Sequence, residues 1–106
     1  MSKKNIMLVC SAGMSTSLLV TKIEKAALEQ NIDANIFAVS ASEADSKIAD
    51  EKIDVLLLGP QVRFMEKQFN EKVSGKDIPV EVINMSDYGL MNGENVLKRA
   101  VDLINK

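Results

Sequence analysis

The sequence predicts an α/β fold, in which a four-stranded parallel sheet with strand order 2-1-3-4 carries helices on both faces, giving three layers. Short apolar runs alternate along the chain with segments whose apolar residues recur at helical spacing. The first and third runs are continuous, as in central strands, whereas the second and fourth contain Asn35 and Glu81, as at sheet edges. This contrast predicts the strand order.

The N-terminal part is predicted to form a strand and a helix joined by a polar loop. An unbroken apolar run marks the first strand at residues 4–9. Apolar side chains at helical spacing mark the first helix at residues 17–30, for which Ser15, Thr16 or Ser17 is available as the N-cap.

A second strand and helix follow directly. The strand is expected at residues 34–39, and the helix after it ends near residue 51. Ser40, with Glu43 three residues later, forms a capping box at the start of this helix.

The C-terminal half continues the alternation. A third apolar strand at residues 54–58 ends at Gly59, and Pro60 suits the first turn of the next helix. A short strand at residues 80–83 and a loop at residues 84–92 precede a final helix. The apolar residues that define these two helices are, in order, Val62, Met65, Phe69, Val96, Leu97, Ala100, Val101 and Ile104.

Length and composition limit the class of protein. The 106 residues, 46% hydrophobic and 26% charged, fit one globular domain over residues 1–106. Scattered Lys and Arg and a net charge of -2 do not indicate a nucleic-acid partner. The apolar runs are far shorter than the roughly 20 residues that cross a membrane, so we expect a cytoplasmic protein. With a single cysteine and no histidine, we expect neither a metal site nor a cofactor.

The segment CSAGMSTS, residues 10–17, carries the strongest indication of chemistry. Backbone N–H groups of a loop that follows a strand and opens a helix can converge on an anion, and Gly13 permits positive φ. Cys10 ends the first strand, where a crevice opens in such a sheet, and its thiolate would be the nucleophile. A lone cysteine is more often simply buried, but the following loop favours the nucleophile. The predicted phosphate-binding loop comprises Ser11, Ala12, Gly13, Met14, Ser15, Thr16 and Ser17.

Three stretches of sequence together indicate a family. They are CSAGMSTSLL from Cys10 onward, LLLGPQV at residues 56–62, and the pair Tyr88-Gly89. Over essentially its whole length the chain resembles enzyme IIB of the lactose/cellobiose (chitobiose, β-glucoside) family of the bacterial phosphoenolpyruvate-dependent sugar phosphotransferase system.

The resemblance implies a phosphocarrier. Cys10 would accept a phosphoryl group from a phosphohistidine on enzyme IIA and pass it to a β-linked disaccharide, of cellobiose or chitobiose type, bound by the membrane enzyme IIC. The absence of histidine agrees with this, because the donor histidine then belongs to a partner. Because partners that exchange a group need only brief contact, we expect weak interfaces and no stable homo-oligomer.

The family sheet is similar to that of low-molecular-weight tyrosine phosphatases, whose loop has a cysteine, five residues and then arginine. This chain has Thr16 at the arginine position and therefore lacks a bidentate clamp for the transferring phosphoryl group. A phosphatase or arsenate-reductase-like enzyme is the alternative, with Asp87 as its general acid. The missing arginine and the single cysteine disfavour it, and Asp87 is better interpreted as a solvated or capping residue.

A non-enzymatic receiver-like interaction domain is a second alternative. Such a domain needs acidic residues at the carboxyl ends of strands one and three, where this chain has Val9-Cys10 and Leu58-Gly59. The pattern therefore does not favour a receiver.

Three further residues are expected near Cys10. Gln61 follows the third strand and is a candidate contact to phosphate or a partner, or simply part of a helix start. Tyr88 is expected either at the same rim or packed against the last helix. Met14 is expected to cover the first helix or to contact a partner.

Overall fold

Four parallel strands form the central sheet of the computed structural model, which describes residues 4–10, 14–50 and 52–105. The observed strand order is β2-β1-β3-β4, which confirms the predicted order 2-1-3-4. The edge positions of the two strands that contain Asn35 and Glu81 are therefore confirmed as well. The strands are β1 (Lys4–Cys10), β2 (Ala34–Ser40), β3 (Val55–Leu58) and β4 (Val80–Val82).

Helices connect the strands and cover both faces of the sheet. One of the two hydrogen bonds of the predicted Ser40 capping box is observed, since the backbone N–H of Ser40 donates to Glu43 Oε1 at 3.5 Å, and the Ser40 hydroxyl donates to the same oxygen at 3.0 Å. The helix after Pro60 begins as a 3-10 turn and buries Val62 and Phe69, whereas Met65 is only half-buried. The helical segments are α1 (Met14–Glu29), α2 (Ala41–Asp50), the 3-10 helix (Pro60–Met65), α3 (Glu66–Lys72), α4 (Met85–Gly89) and α5 (Gly93–Ile104).

The predicted start of the first helix is wrong. Helix α1 begins at Met14, so Ser15, Thr16 and Ser17 lie in its first turn and none of them is the N-cap. The helical spacing of apolar residues in the sequence identifies only those turns of α1 that face the core. The first turn carries free N–H groups and accepts hydroxyl residues as readily as a cap does.

The predicted loop at residues 84–92 contains the short helix α4. Its N-cap is Asn84, whose side-chain oxygen accepts from the N–H groups of Ser86 at 2.8 Å and Asp87 at 3.2 Å. A helix of five residues is too short to show apolar periodicity, so the loop prediction was wrong here.

The core lies on both faces of β1. Ile6 and Leu8 point into a cluster with α1 and α5, and Met7 and Val9 point into a second cluster with α2 and α3. All four side chains are fully buried. Among the described residues, no helix is both long enough and apolar enough to span a membrane.

Gly93 allows α5 to begin in contact with α1. A methyl group at Gly93 would lie 2.5 Å from the carbonyl carbon and oxygen of Lys22 and 2.7 Å from the amide nitrogen of Ile23. These atoms belong to the backbone and cannot turn aside as a side chain could. The absence of a side chain at Gly93 therefore sets the distance between the two helices.

We expect Gly93→Ala to destabilise the protein by about 1–3 kcal/mol, because the methyl group forces α5 away from α1. Gly89→Ala is the matched control, since its methyl group would meet nothing within 4 Å and alanine favours helix. Urea unfolding should show a lower midpoint for Gly93→Ala only. Equal midpoints for the two variants would show that the helices are not in close contact at Gly93.

Candidate functional site

The end of β1 lies between the ends of its two neighbouring strands. Cys10 is paired with Ser40 of β2, and the N–H of Gly59, directly after β3, donates to the carbonyl of Val9 at 2.8 Å. The chain crosses from β1 to β2 on one side and reaches β3 on the other. Ligands of open α/β sheets bind at such a point, where connections diverge at the carboxyl ends of the strands.

The Cys10 thiol faces inward at this point. Cys10 is only 2% exposed, and its Sγ lies 3.7 Å from the carbonyl oxygen of Val39 on β2, to which the thiol donates. A sulfur in this position is shielded from bulk water. To act as a nucleophile, the thiol would have to release this hydrogen bond and its proton, because only the thiolate is nucleophilic.

The predicted phosphate-binding loop is described only in its last part. Ser11, Ala12 and Gly13 lie outside the described residues, as do the side chains of Met14, Ser15 and Thr16. The first turn of α1, which begins four residues after Cys10, contains no acidic side chain. The positive end of the helix dipole is therefore not neutralised by a carboxylate of its own first turn.

The sequence predicted Gln61 and Tyr88 near Cys10, and both lie against the segment that flanks β1. A methyl group built on Gly59 would lie 3.0 Å from Gln61 Oε1, 3.4 Å from the Val9 carbonyl and 3.7 Å from Tyr88 Cε2. Gly59 thus brings β3, Gln61 and Tyr88 together one strand away from Cys10.

Gln61 and Tyr88 differ in burial. Gln61 is exposed, so its amide is available to a ligand or a partner. Tyr88 is 9% exposed and packs in the core cluster that contains Val96 and Leu97 of α5. Packing against the last helix, one of the two roles expected for Tyr88, is therefore observed, and part of the ring also lines the rim.

Asp87, the proposed acid of the phosphatase alternative, is held by a neighbouring helix. Its carboxylate accepts from the Asn95 side chain at 3.1 Å and lines a depression beside Glu81 and Arg99. Arg99 donates to Glu81 at 2.7 Å, and this hydrogen bond and the charge of Glu81 raise the pKa of the guanidinium. The hydrogen bond from Asn95 gives Asp87 a structural role at the start of α5.

Two exposed apolar residues at this edge were not predicted from the sequence. Phe64 and Met85 line one depression together with Gln61, Arg63 and Tyr88. In the sequence, Phe64 lies off the helical face that buries Val62 and Phe69, and its exposure agrees with that position. Within residues 4–10, 14–50 and 52–105, no cluster of three or more His, Cys, Asp or Glu side chains is placed to hold a metal ion.

A parallel α/β sheet with a cysteine at its divergence point defines the class of this protein, and comparison with known proteins identifies the family. The family model of the lactose/cellobiose-specific IIB subunit of the phosphotransferase system matches residues 5–99. The chain belongs to this family and is a sugar phosphotransfer component that works with other components of the system.

Relatives align along the whole chain. A galactose-specific EIIB component of Lactococcus lactis subsp. cremoris is 49% identical over 99% of this chain and 100% of its own length. A cellobiose-specific EIIB component of Lactococcus lactis subsp. lactis is 48% identical with the same coverage. An oligo-beta-mannoside-specific EIIB component of Bacillus subtilis is 39% identical over 95% of this chain and 96% of its own.

Solved structures agree with the fold. The solution structure of a cellobiose-specific IIB component from Borrelia burgdorferi has a TM-score of 0.79 and 47% identity, covering 98% of this chain and 94% of its own. A lactose-specific IIB domain from Streptococcus pneumoniae has a TM-score of 0.84 at 13% identity, covering 95% and 97%, and supports the fold alone. The predicted family and fold class are confirmed.

The two rim residues should respond differently to truncation. We expect Tyr88→Ala to lower the free energy of unfolding by about 3 kcal/mol, because it empties an aromatic site in the core. Gln61→Ala should change it by less than about 0.5 kcal/mol, because the amide is exposed. Thermal unfolding of both variants checks this, and a large loss for Gln61→Ala would contradict the exposed position.

Proposed function

We propose that residues 1–106 form one IIB domain that carries a phosphoryl group on Cys10. The donor is a phosphohistidine on enzyme IIA, and the acceptor is a sugar bound by the membrane enzyme IIC. The observation that supports this most directly is the position of the only cysteine, at the divergence point of a sheet in a family that transfers phosphoryl groups. A carrier that meets such partners in turn would act at the cytoplasmic side of the membrane.

Each of the two proposed transfers is an in-line displacement. In the first, the Cys10 sulfur forms a bond to phosphorus while the bond from phosphorus to the donor histidine breaks. The thiol proton is released, and the departing imidazole nitrogen can accept it. In the second, a sugar hydroxyl attacks phosphorus and loses its proton, and the thiolate of Cys10 departs with the electron pair.

The α1 N-terminus supports this chemistry electrostatically. Free N–H groups of its first turn and the positive end of the helix dipole favour negative charge beside Cys10. Both the thiolate and the phosphorylated cysteine are negative. We propose that the N–H groups of the loop from Ser11 to Ser17 bind the phosphoryl oxygens, with Thr16 supplying only a neutral hydroxyl.

We propose a β-linked disaccharide of the cellobiose or chitobiose type as the transported sugar. The galactose-specific and cellobiose-specific relatives named above are 49% and 48% identical to this chain, so overall identity does not distinguish these sugars. The hydroxyl that receives phosphate would be selected by the membrane component. A panel of β-linked disaccharides, tested with the complete system in membranes, distinguishes these sugars.

Cys10 should be the sole phosphorylation site. After incubation with phosphorylated IIA, peptide mass spectrometry should find one phosphoryl group on the peptide that contains Cys10, and Cys10→Ser should remain unlabelled. The reason is that the neighbouring serine hydroxyls are far weaker nucleophiles than a thiolate. Label on a loop serine, retained in Cys10→Ser at the wild-type rate, would refute the proposal.

The phosphorylated protein should be long-lived once IIA is removed. Because Thr16 replaces the arginine of the phosphatases, stabilisation of charge during water attack is weak. We expect negligible turnover of p-nitrophenyl phosphate, with wild type indistinguishable from Cys10→Ser. Rapid hydrolysis by wild type that is abolished in Cys10→Ser would instead favour a phosphatase.

A further inference from the structure

Two large apolar side chains are exposed together at the carboxyl edge of the sheet. Phe64, at the end of the 3-10 helix, is 77% exposed, and Met85, at the start of α4, is 62% exposed. Both line a depression of about 610 Å³ whose wall includes Tyr88. These two side chains with the depression between them are called the Phe64 patch below.

The Phe64 patch is continuous with the surroundings of Cys10. Gln61 and Tyr88 line the depression, and both lie close to Gly59. The Gly59 N–H in turn donates to the carbonyl of Val9, the residue before Cys10. A protein seated on the patch would therefore cover the edge of the sheet where β1 ends.

The charge of the patch is positive. Of the described residues that line the depression, Arg63 alone is charged, and it is exposed. It makes no salt bridge with any part of the chain that the structure describes. An exposed guanidinium beside an apolar surface suits a partner that brings negative charge together with apolar area.

The size of the patch suits a brief contact. A fully buried aromatic side chain contributes about 150–250 Å², so two large apolar side chains supply only part of even a small interface. Obligate dimers need roughly 2,000 Å² or more, which this patch does not approach. Met residues also adapt to more than one partner surface, because their side chains are unbranched and flexible.

We propose that the Phe64 patch is the docking surface for the phosphoryl donor, a protein that presents a phosphohistidine from an apolar face. The inference rests on the proposed function. Charge favours the donor over the receiver, because the donor brings a phosphoryl group to the unphosphorylated protein. The receiver instead brings a neutral sugar, which has no charge for Arg63 to attract.

Phe64→Ser and Met85→Ser test the patch. With IIA phosphorylated by a reconstituted donor cascade, kcat/KM for phosphorylation of Cys10 should fall about 10-fold or more for each variant, as for residues at the centre of an interface. The rate at saturating concentration should stay near wild type, because the patch binds the partner and does not touch phosphorus. Alkylation of Cys10 by iodoacetamide at the wild-type rate would show that the thiol is unchanged.

Leu28→Ser is the matched control. Leu28 is 79% exposed, almost the same as Phe64, but lies in the last turn of α1, roughly 20 Å along the helix from its N-terminus. It should leave kcat/KM within about two-fold of wild type. An equal loss of kcat/KM for Leu28→Ser would overturn the proposal, because the effect would then not depend on where the exposed apolar side chain lies.

Arg63→Gln tests the charge. It should lower kcat/KM at low ionic strength and flatten its dependence on salt, since long-range attraction is screened. Lys67→Gln removes the same charge from an exposed position outside the depression and should have less effect. Equal effects of the two substitutions would show a general response to net charge and overturn the role of Arg63.

The outcomes separate this inference from the proposed function. If wild type is not phosphorylated by phosphorylated IIA, the proposed function fails and this inference fails with it. If wild type is phosphorylated and Phe64→Ser is phosphorylated equally well, only the docking surface is refuted. A loss confined to transfer from Cys10 to the sugar would refute the donor role and assign the patch to the receiver. If wild type is a dimer that the Phe64→Ser substitution dissociates, the patch is instead a contact between two copies of this chain.

Discussion

The burial of β1 on both faces is the constraint on which the rest of the structure depends. Ile6, Met7, Leu8 and Val9 are successive residues, so their side chains point alternately to opposite faces, and all four are removed from water. A helix layer on one face alone would leave half of these side chains exposed. The chain must therefore place α1 and α5 on one side and α2 and α3 on the other. Connections that leave a central strand in both directions create the opening at its carboxyl end, so the same constraint that builds the core also locates Cys10.

The sheet could be predicted from sequence because its strands differ in a way that reflects their environment. Continuous apolar runs marked β1 and β3 as central, and Asn35 and Glu81 marked β2 and β4 as edges. The exact helix boundaries were less predictable. The start of α1 at Met14 could not be read from apolar spacing, because its first turn carries Ser15, Thr16 and Ser17. Helix α4 depends on one cap, Asn84, within a segment too short to show a period.

The candidate site was predictable in its residue types and less so in its geometry. The position of Cys10 after an apolar strand was readable from the sequence, as was the position of Gln61 after the neighbouring strand, whereas two roles stayed open for Tyr88. The hydrogen bond from the Cys10 thiol to the carbonyl of Val39 was not, because it joins two strands through a backbone atom that no residue type reveals. The exposure of Phe64 agrees with the sequence pattern, because Phe64 lies off the helical face that Val62 and Phe69 bury.

A buried thiol beside an exposed apolar patch reconciles two requirements of the proposed carrier. A phosphorylated cysteine must be kept from water, since hydrolysis would waste the group, and yet two partners must reach it in turn. Deep burial alone would prevent transfer, and an open cleft would admit water between encounters. The narrow edge between β2 and β3 satisfies the first requirement, because Cys10 is 2% exposed there. A partner that covers the neighbouring apolar surface would satisfy the second, since its docking would expel water from the same edge during transfer. Electrostatic interactions, including those of the α1 N-terminus, are strongest when solvent is absent.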